Sequence, residues 1–126
     1  VSVIKSVEDF KFVCDKSWTA EAVINIIKNC LEHTNEGGKG EIKVSAVSTN
    51  ISVDIVIEDN GTGISKKDIG HIFERFYHGE NSNKDSVGIG LALAKAILEK
   101  QKGEISVESI EGEGSKFTIK LYKTII

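Results

Sequence analysis

The sequence predicts an α+β fold, a two-layer α/β sandwich in which a mixed, mostly antiparallel sheet packs on about three helices. Three observations carry that expectation. Stretches with the two-residue period of strands come as adjacent pairs, residues 41–48 with 51–58 and 104–109 with 115–122, each split by a short turn. Stretches with helical period, residues 18–34 and 91–100, stand between those pairs instead of alternating with single strands. The chain has 126 residues, 40% hydrophobic and 28% charged, which suits one soluble domain with one core and not two.

In chain order, Phe10, Phe12 and Cys14 alternate with Lys11, Val13 and Asp15, which predicts a short edge strand. Ser17 is placed to cap a helix from Trp18 to Thr34, with Val23, Ile26, Ile27, Cys30 and Leu31 as its apolar stripe. Glu21, Asn25, Lys28, Asn29 and Glu32 fall on the opposite face. Gly37-Gly38 ends the helix, since glycine accepts a left-handed backbone. Strands Glu41 to Ser48 and Ile51 to Glu58 follow, turning at Thr49-Asn50. Ile42, Val44 and Ala46 share one face of the first, and Val53, Ile55 and Ile57 one face of the second. A short helix is expected from Ser65 through Ile69, Ile72 and Phe73. Residues 78–87, HGENSNKDSV, have one apolar residue and predict a polar, mobile loop. Leu91 to Lys100 favours helix, Gly103 stops it, and strands Glu104 to Ser109 and Ser115 to Tyr122 close the chain around an EGEG turn.

Composition removes several function classes. Net charge is −3 and the pI about 5.6, so nothing invites nucleic acid or an anionic membrane. No apolar run is long enough to span a membrane. Cys14 and Cys30 sit in apolar patterns and are expected as reduced core thiols, with no second Cys or His at metal-ligand spacing. The chain opens on Val1 and contains no Met, so it is expected to be a single domain cut from a longer protein.

The chemistry concentrates in four places. The run from Ile55 to Ile64, IVIEDNGTGI, delivers the Asp59 carboxylate to the mouth of a loop, where Gly61 and Gly63 remove side chains. Such a carboxylate can accept a hydrogen bond from an exocyclic amine, with a flat base lying on the glycine backbone; an ordinary hairpin turn is the competing reading. Asn25 and Asn29, one helical turn apart, offer two neutral oxygens of the kind that assist Mg²⁺ when phosphates supply most of its ligands, or are simply solvated. Gly88 and Gly90 open a helix whose N-terminus favours phosphate, behind a loop able to close as a lid. Phe73, Phe76 and Tyr77 supply at least one core aromatic, and Arg75 among them suits phosphate oxygens. His33, His71 and His78 are too scattered for a metal site and read as surface or boundary residues.

Together these motifs resemble the catalytic, ATP-binding domain of sensor histidine kinases, of the superfamily shared with DNA gyrase and mismatch-repair ATPases. The likeness runs from about Ser17 to Leu121. Asn25 to Thr34 resembles the N box, Asp59 to Gly63 the first glycine box, Ile72 to Tyr77 the F box, and Gly88 to Leu91 the second glycine box. The resemblance implies the Bergerat-type ATP-binding fold, with ATP and Mg²⁺ as cofactors. It implies Asn29 as the principal Mg²⁺ ligand assisted by Asn25, and Asp59 as the acceptor of the adenine amine. Gly61, Gly63, Ile64 and Tyr77 would border the nucleotide; Gly88, Gly90 and Leu91 would form the phosphate-facing end of the lid. Ser115 matches the family's small hydroxyl beside Asp59, and Arg75 is the candidate phosphate contact. Many members carry Lys three residues after the Mg²⁺-binding Asn, where this chain has Glu32; Arg75, Lys84 or Lys28 would have to compensate.

The implied activity is transfer of the γ-phosphoryl of ATP to a histidine on a separate dimerisation domain, with a response regulator downstream. The implied setting is a cytoplasmic domain, monomeric when isolated, of a membrane-anchored homodimeric kinase; nucleic acid is not among the partners. The alternatives are a gyrase-like ATP hydrolase, a serine kinase of the anti-sigma-factor sort, and a nucleotide-binding module with weak catalysis. Against hydrolysis, related ATPases place a water-activating Glu where this chain has Asn25, and a carboxamide cannot take that proton.

Overall fold

The computed structural model describes residues 2–7, 14–34, 40–77 and 90–123. Their elements are β1 (Ser2–Val7), α1 (Lys16–Thr34), β2 (Glu41–Ser48), β3 (Ser52–Asp59), α2 (Gly90–Lys100), β4 (Glu104–Ile110) and β5 (Gly114–Tyr122). The five strands form one sheet in the order β1-β2-β3-β5-β4. The β1–β2 pair is parallel and every other pair antiparallel, the mixed, mostly antiparallel sheet expected.

Register turns strand alternation into rows across the sheet. Ala46, Ile55, Ile119 and Ile105 form one row on the inner face, and Val44, Ile57, Phe117 and Val107 the next. Ile57, Phe117 and Ile119 are wholly buried. Helices α1 and α2 cover these rows with Ala22, Ile26 and Cys30 from one and Leu91, Ala94, Ile97 and Leu98 from the other. Along the outer face the rows are charged: Lys43, Glu58, Lys116 and Glu108 stand in line, as do Asp54, Lys120 and Glu104. The ion pairs there, Lys116–Glu58 and Lys120–Asp54 at 4.0 Å, are exposed and contribute little, but they hold that face in water.

Several expectations are corrected. The edge strand beside β2 is Ser2–Val7; Cys14 and Asp15 of the expected strand are not in one, and residues 8–13, with Phe10 and Phe12, lie outside the described residues. Cys14 is exposed rather than in the core, because it stands in a bend before α1. The helix cap is Asp15, not Ser17: its Oδ1 accepts the Trp18 N–H at 3.1 Å. The side-chain amide of Gln101 fixes that cap by accepting the Asp15 N–H at 3.0 Å and donating to Thr19 Oγ1 at 2.9 Å. Asp15→Ala is expected to cost about 1 kcal/mol, seen as a lower urea midpoint at unchanged slope.

Residues 65–77 form successive tight turns and no α-helix, so two α-helices and not three are found among the described residues. Only Ile69 N–H reaches back four residues, to Ser65; after Gly70, His71 and Glu74 N–H reach back three. The stop after α2 places Lys102, not Gly103, in the left-handed region, at φ 59°. Gly103 is needed for space: a Cβ there would lie 2.8 Å from Leu121 Cδ2 and 2.9 Å from the Lys120 carbonyl oxygen. The Gly37-Gly38 stop and the loop over 78–87 lie outside the described residues.

Candidate functional site

The inner face changes character at one end of the sheet. After the two apolar rows the next comprises Ile42, Asp59, Ser115 and Ser109, one residue from each of four strands. Asp59 is 8% exposed and ends β3; its Oδ1 accepts the Gly61 N–H at 2.9 Å. The buried Cys30 thiol of α1 faces the same carboxylate. Burial first, and the adjacent negative charge second, push that thiol's ionisation far up, so it stays neutral.

The glycine loop after Asp59 is clamped by the protein itself. A methyl on Gly61 would collide with the His33 carbonyl at the end of α1, and one on Gly63 with the Ile110 carbonyl at the end of β4. Thr62 N–H donates to the His33 carbonyl at 3.1 Å, and its carbonyl accepts the Gly112 N–H at 2.7 Å. Ser109 completes the clamp: it accepts the Ile64 N–H at 2.7 Å, donates to the Gly114 carbonyl at 2.9 Å, and lies 3.0 Å from Ser115 Oγ. Sequence reasoning missed Ser109. The available signal was a hydroxyl on the inward register of β4, after Ile105 and Val107.

A second cluster lies along α1. Asn25 donates through Nδ2 to the Glu21 carbonyl at 2.9 Å. Its Oδ1 is turned toward Gly90, 3.4 Å from where a Cβ would sit. Asn25 and Asn29 are half-buried, not on the open face expected, and the start of α2 abuts Asn25. Leu91 is buried in the core under this contact, and Gly88 lies outside the described residues. The same helix thus touches the start of α2 at Asn25, Asp59 at Cys30 and the glycine loop at His33. From Asn25 to His33 the helix rises roughly 12 Å at about 1.5 Å per residue, a span on the order of a nucleotide's length.

Residues 72–77 end the turns that follow the glycine loop. Among the described residues no hydrogen bond or ion pair ties Arg75 to Asp59 or Asn25. Phe76 is 64% exposed at φ 64°, whereas Phe73 packs on the core with the Lys95 ammonium 5.7 Å from its ring centroid. Tyr77 donates to the buried Asp68 carboxylate and stacks on His71. Lys28 is exposed, Glu32 half-buried, and Lys84 outside the described residues. No group of three or more His, Cys, Asp or Glu able to hold a metal occurs among the described residues.

Residues 14–125 match the family described as histidine kinase-, DNA gyrase B- and HSP90-like ATPase. The chain belongs to this family. Sensor histidine kinase YvrG of Bacillus subtilis is 33% identical over 122 residues, covering 94% of this chain and 20% of that protein. The chain thus spans about a fifth of that relative's length. Its fold is similar to that of the mycobacterial sensor histidine kinase MprB, at a TM-score of 0.84 and 24% identity over 99% of this chain and 85% of the other. It is also similar to full-length ShkA in complex with AMPPNP, at a TM-score of 0.82 and 20% identity over 98% of this chain and 26% of that one. Both structures share the fold of this ATPase-family chain. Within its described residues no helix is long and apolar enough to cross a membrane.

Proposed function

We propose that this chain is the catalytic domain of a sensor histidine kinase: it binds Mg-ATP and presents the γ-phosphoryl group to a histidine on a separate dimerisation domain. That histidine would pass the phosphoryl group to a response regulator. The observation that carries this reading is the course of α1, which sets the Asn25–Gly90 contact and the Asp59 row at a nucleotide's separation on one rigid element.

Each residue's role follows from its chemistry. The Asp59 carboxylate accepts from the adenine amine, held in place by Gly61 N–H. Ile64 and the backbone of Gly61 and Gly63 border the base, and Ser115 lies beside Asp59 in the register. The N-terminus of α2 at Gly90 favours phosphate oxygens. Asn29 and the Oδ1 of Asn25 would hold a Mg²⁺ ion, which would supply charge neutralisation to the phosphates. Arg75 is exposed and requires the partner domain or the nucleotide to engage it.

Hydrolysis is the weaker reading. Asn25 cannot take a proton from water, and its amide is committed to the Glu21 carbonyl. Glu21 itself is exposed one turn earlier on α1.

The test is transfer in trans. With γ-labelled ATP the isolated chain is expected to remain unlabelled and to turn ATP over slowly. When the dimerisation domain of the same kinase is added as a separate polypeptide, its histidine should acquire an acid-labile, alkali-stable label. Asn29→Ala should remove most of that label while the chain stays folded. Rapid turnover of ATP by the chain alone would overturn the kinase reading in favour of a hydrolase.

A further inference from the structure

Ser109 Oγ has three polar neighbours within hydrogen-bonding distance: the Ile64 N–H at 2.7 Å, the Gly114 carbonyl at 2.9 Å and Ser115 Oγ at 3.0 Å. A hydroxyl has one proton and two lone pairs. The amide can only donate and the carbonyl can only accept, so the Ser109 proton goes to Gly114. The remaining contact is then closed by Ser115 donating to Ser109. Ser115 is 6% exposed and has given away its proton, so it presents only lone pairs to its surroundings.

Ser115 and Asp59 are directly opposite each other in the β3–β5 register and lie on the same inner face. Residues so paired have Cβ atoms about 5 Å apart. Two acceptors on side chains so paired can flank a group with two N–H bonds, such as an exocyclic amine. An oxo group in the same place would meet lone pairs on both sides.

We propose that Ser109 is a positioning residue that sets the base preference of the site, by taking the Ser115 proton and leaving Ser115 and Asp59 as paired acceptors for the amine of adenine. The inference rests on the reading of Asp59 as the adenine contact and adds a residue that never touches the base. Its physical core is that specificity comes from a proton already committed inside the protein, so the site cannot reorient to accept an oxo base.

Titrating the chain with Mg-ATP and with Mg-inosine triphosphate, in which an oxo group replaces the amine, tests this. Ser109→Ala frees the Ser115 proton to turn toward the oxo group, so the ATP preference should fall by about tenfold. Ser109→Thr keeps the hydroxyl and should restore it. Equal weakening of both nucleotides, the mark of a structural role, would overturn the proposal, as would an unchanged preference. Should Ser109→Ala fail to fold, Ser115→Ala removes one acceptor and should lower the preference likewise; an unchanged ratio there overturns the proposal too. Asp59→Asn separates the layers. Unchanged ATP affinity in that variant would remove the adenine reading and this inference together. A weakened Asp59→Asn beside an unaltered preference in Ser109→Ala would remove this inference alone.

Discussion

Asp59→Asn is expected to weaken ATP binding by roughly ten- to a hundredfold, the equivalent of about 1.5–3 kcal/mol for a charge-assisted hydrogen bond in a largely desolvated place. Asp59 is 8% exposed, and its carboxylate accepts the Gly61 N–H with the buried Cys30 thiol alongside. A carboxamide in the same rotamer keeps one oxygen for the Gly61 N–H, and its NH₂ group then opposes any amine brought to the site. Calorimetric titration of the folded variant reads the effect directly. Unchanged affinity would take Asp59 out of the adenine site. The loss should also be smaller for inosine triphosphate, which offers no amine for the carboxylate to accept.

Gly114→Ala is expected to be the most damaging added methyl among the described glycines, costing roughly 2–6 kcal/mol from backbone strain and overpacking together. Gly114 has φ +137°, a conformation L side chains rarely adopt, and an added Cβ would strike the Asp59 carbonyl. Gly112, two residues earlier in the same turn, has φ +86° but nothing within 4 Å of the position a Cβ would take. Gly112→Ala therefore carries strain alone, about 1–2 kcal/mol. Chemical denaturation of the pair separates the two contributions. Equal losses would show that the approach of β5 to Asp59 is looser than this geometry requires. Because the collision is with Asp59 itself, ATP affinity in any folded Gly114→Ala protein should fall as well.

Much of the fold was legible because local pattern and tertiary role coincide. The alternation in 41–48 and 115–122 marks strands buried on one face, and the stripe on α1 marks a helix lying on them. Legibility failed where local signals were weak or were overridden. The strand Ser2–Val7 has its parallel partner at 41–46, so its pairing is not a local property. Asp15 and Ser17 are both chemically able to cap a helix, and the link from Gln101, far along the chain, fixes the start at Asp15. The segment after Ser65 has helix-start residues, yet Gly70 sits within it and its turns remain separate.

The site divides in the same way. The sequence by itself determined which chemistry is present: the Asp59 carboxylate before two glycines, the Asn25/Asn29 pair, and a glycine opening α2. These are readable because a turn or a helix start demands particular residues within a few positions of one another. Only the tertiary structure decided what stands beside what. It showed that the glycines of the loop are needed for the carbonyls of His33 and Ile110, and that the Asn face of α1 meets Gly90 rather than open solvent. It also put Asp59, Ser115 and Ser109 in one row. The physical reason is register: a strand shifted by one residue keeps its composition but turns every side chain to the other face. No local stretch of sequence can specify a row built from separate strands.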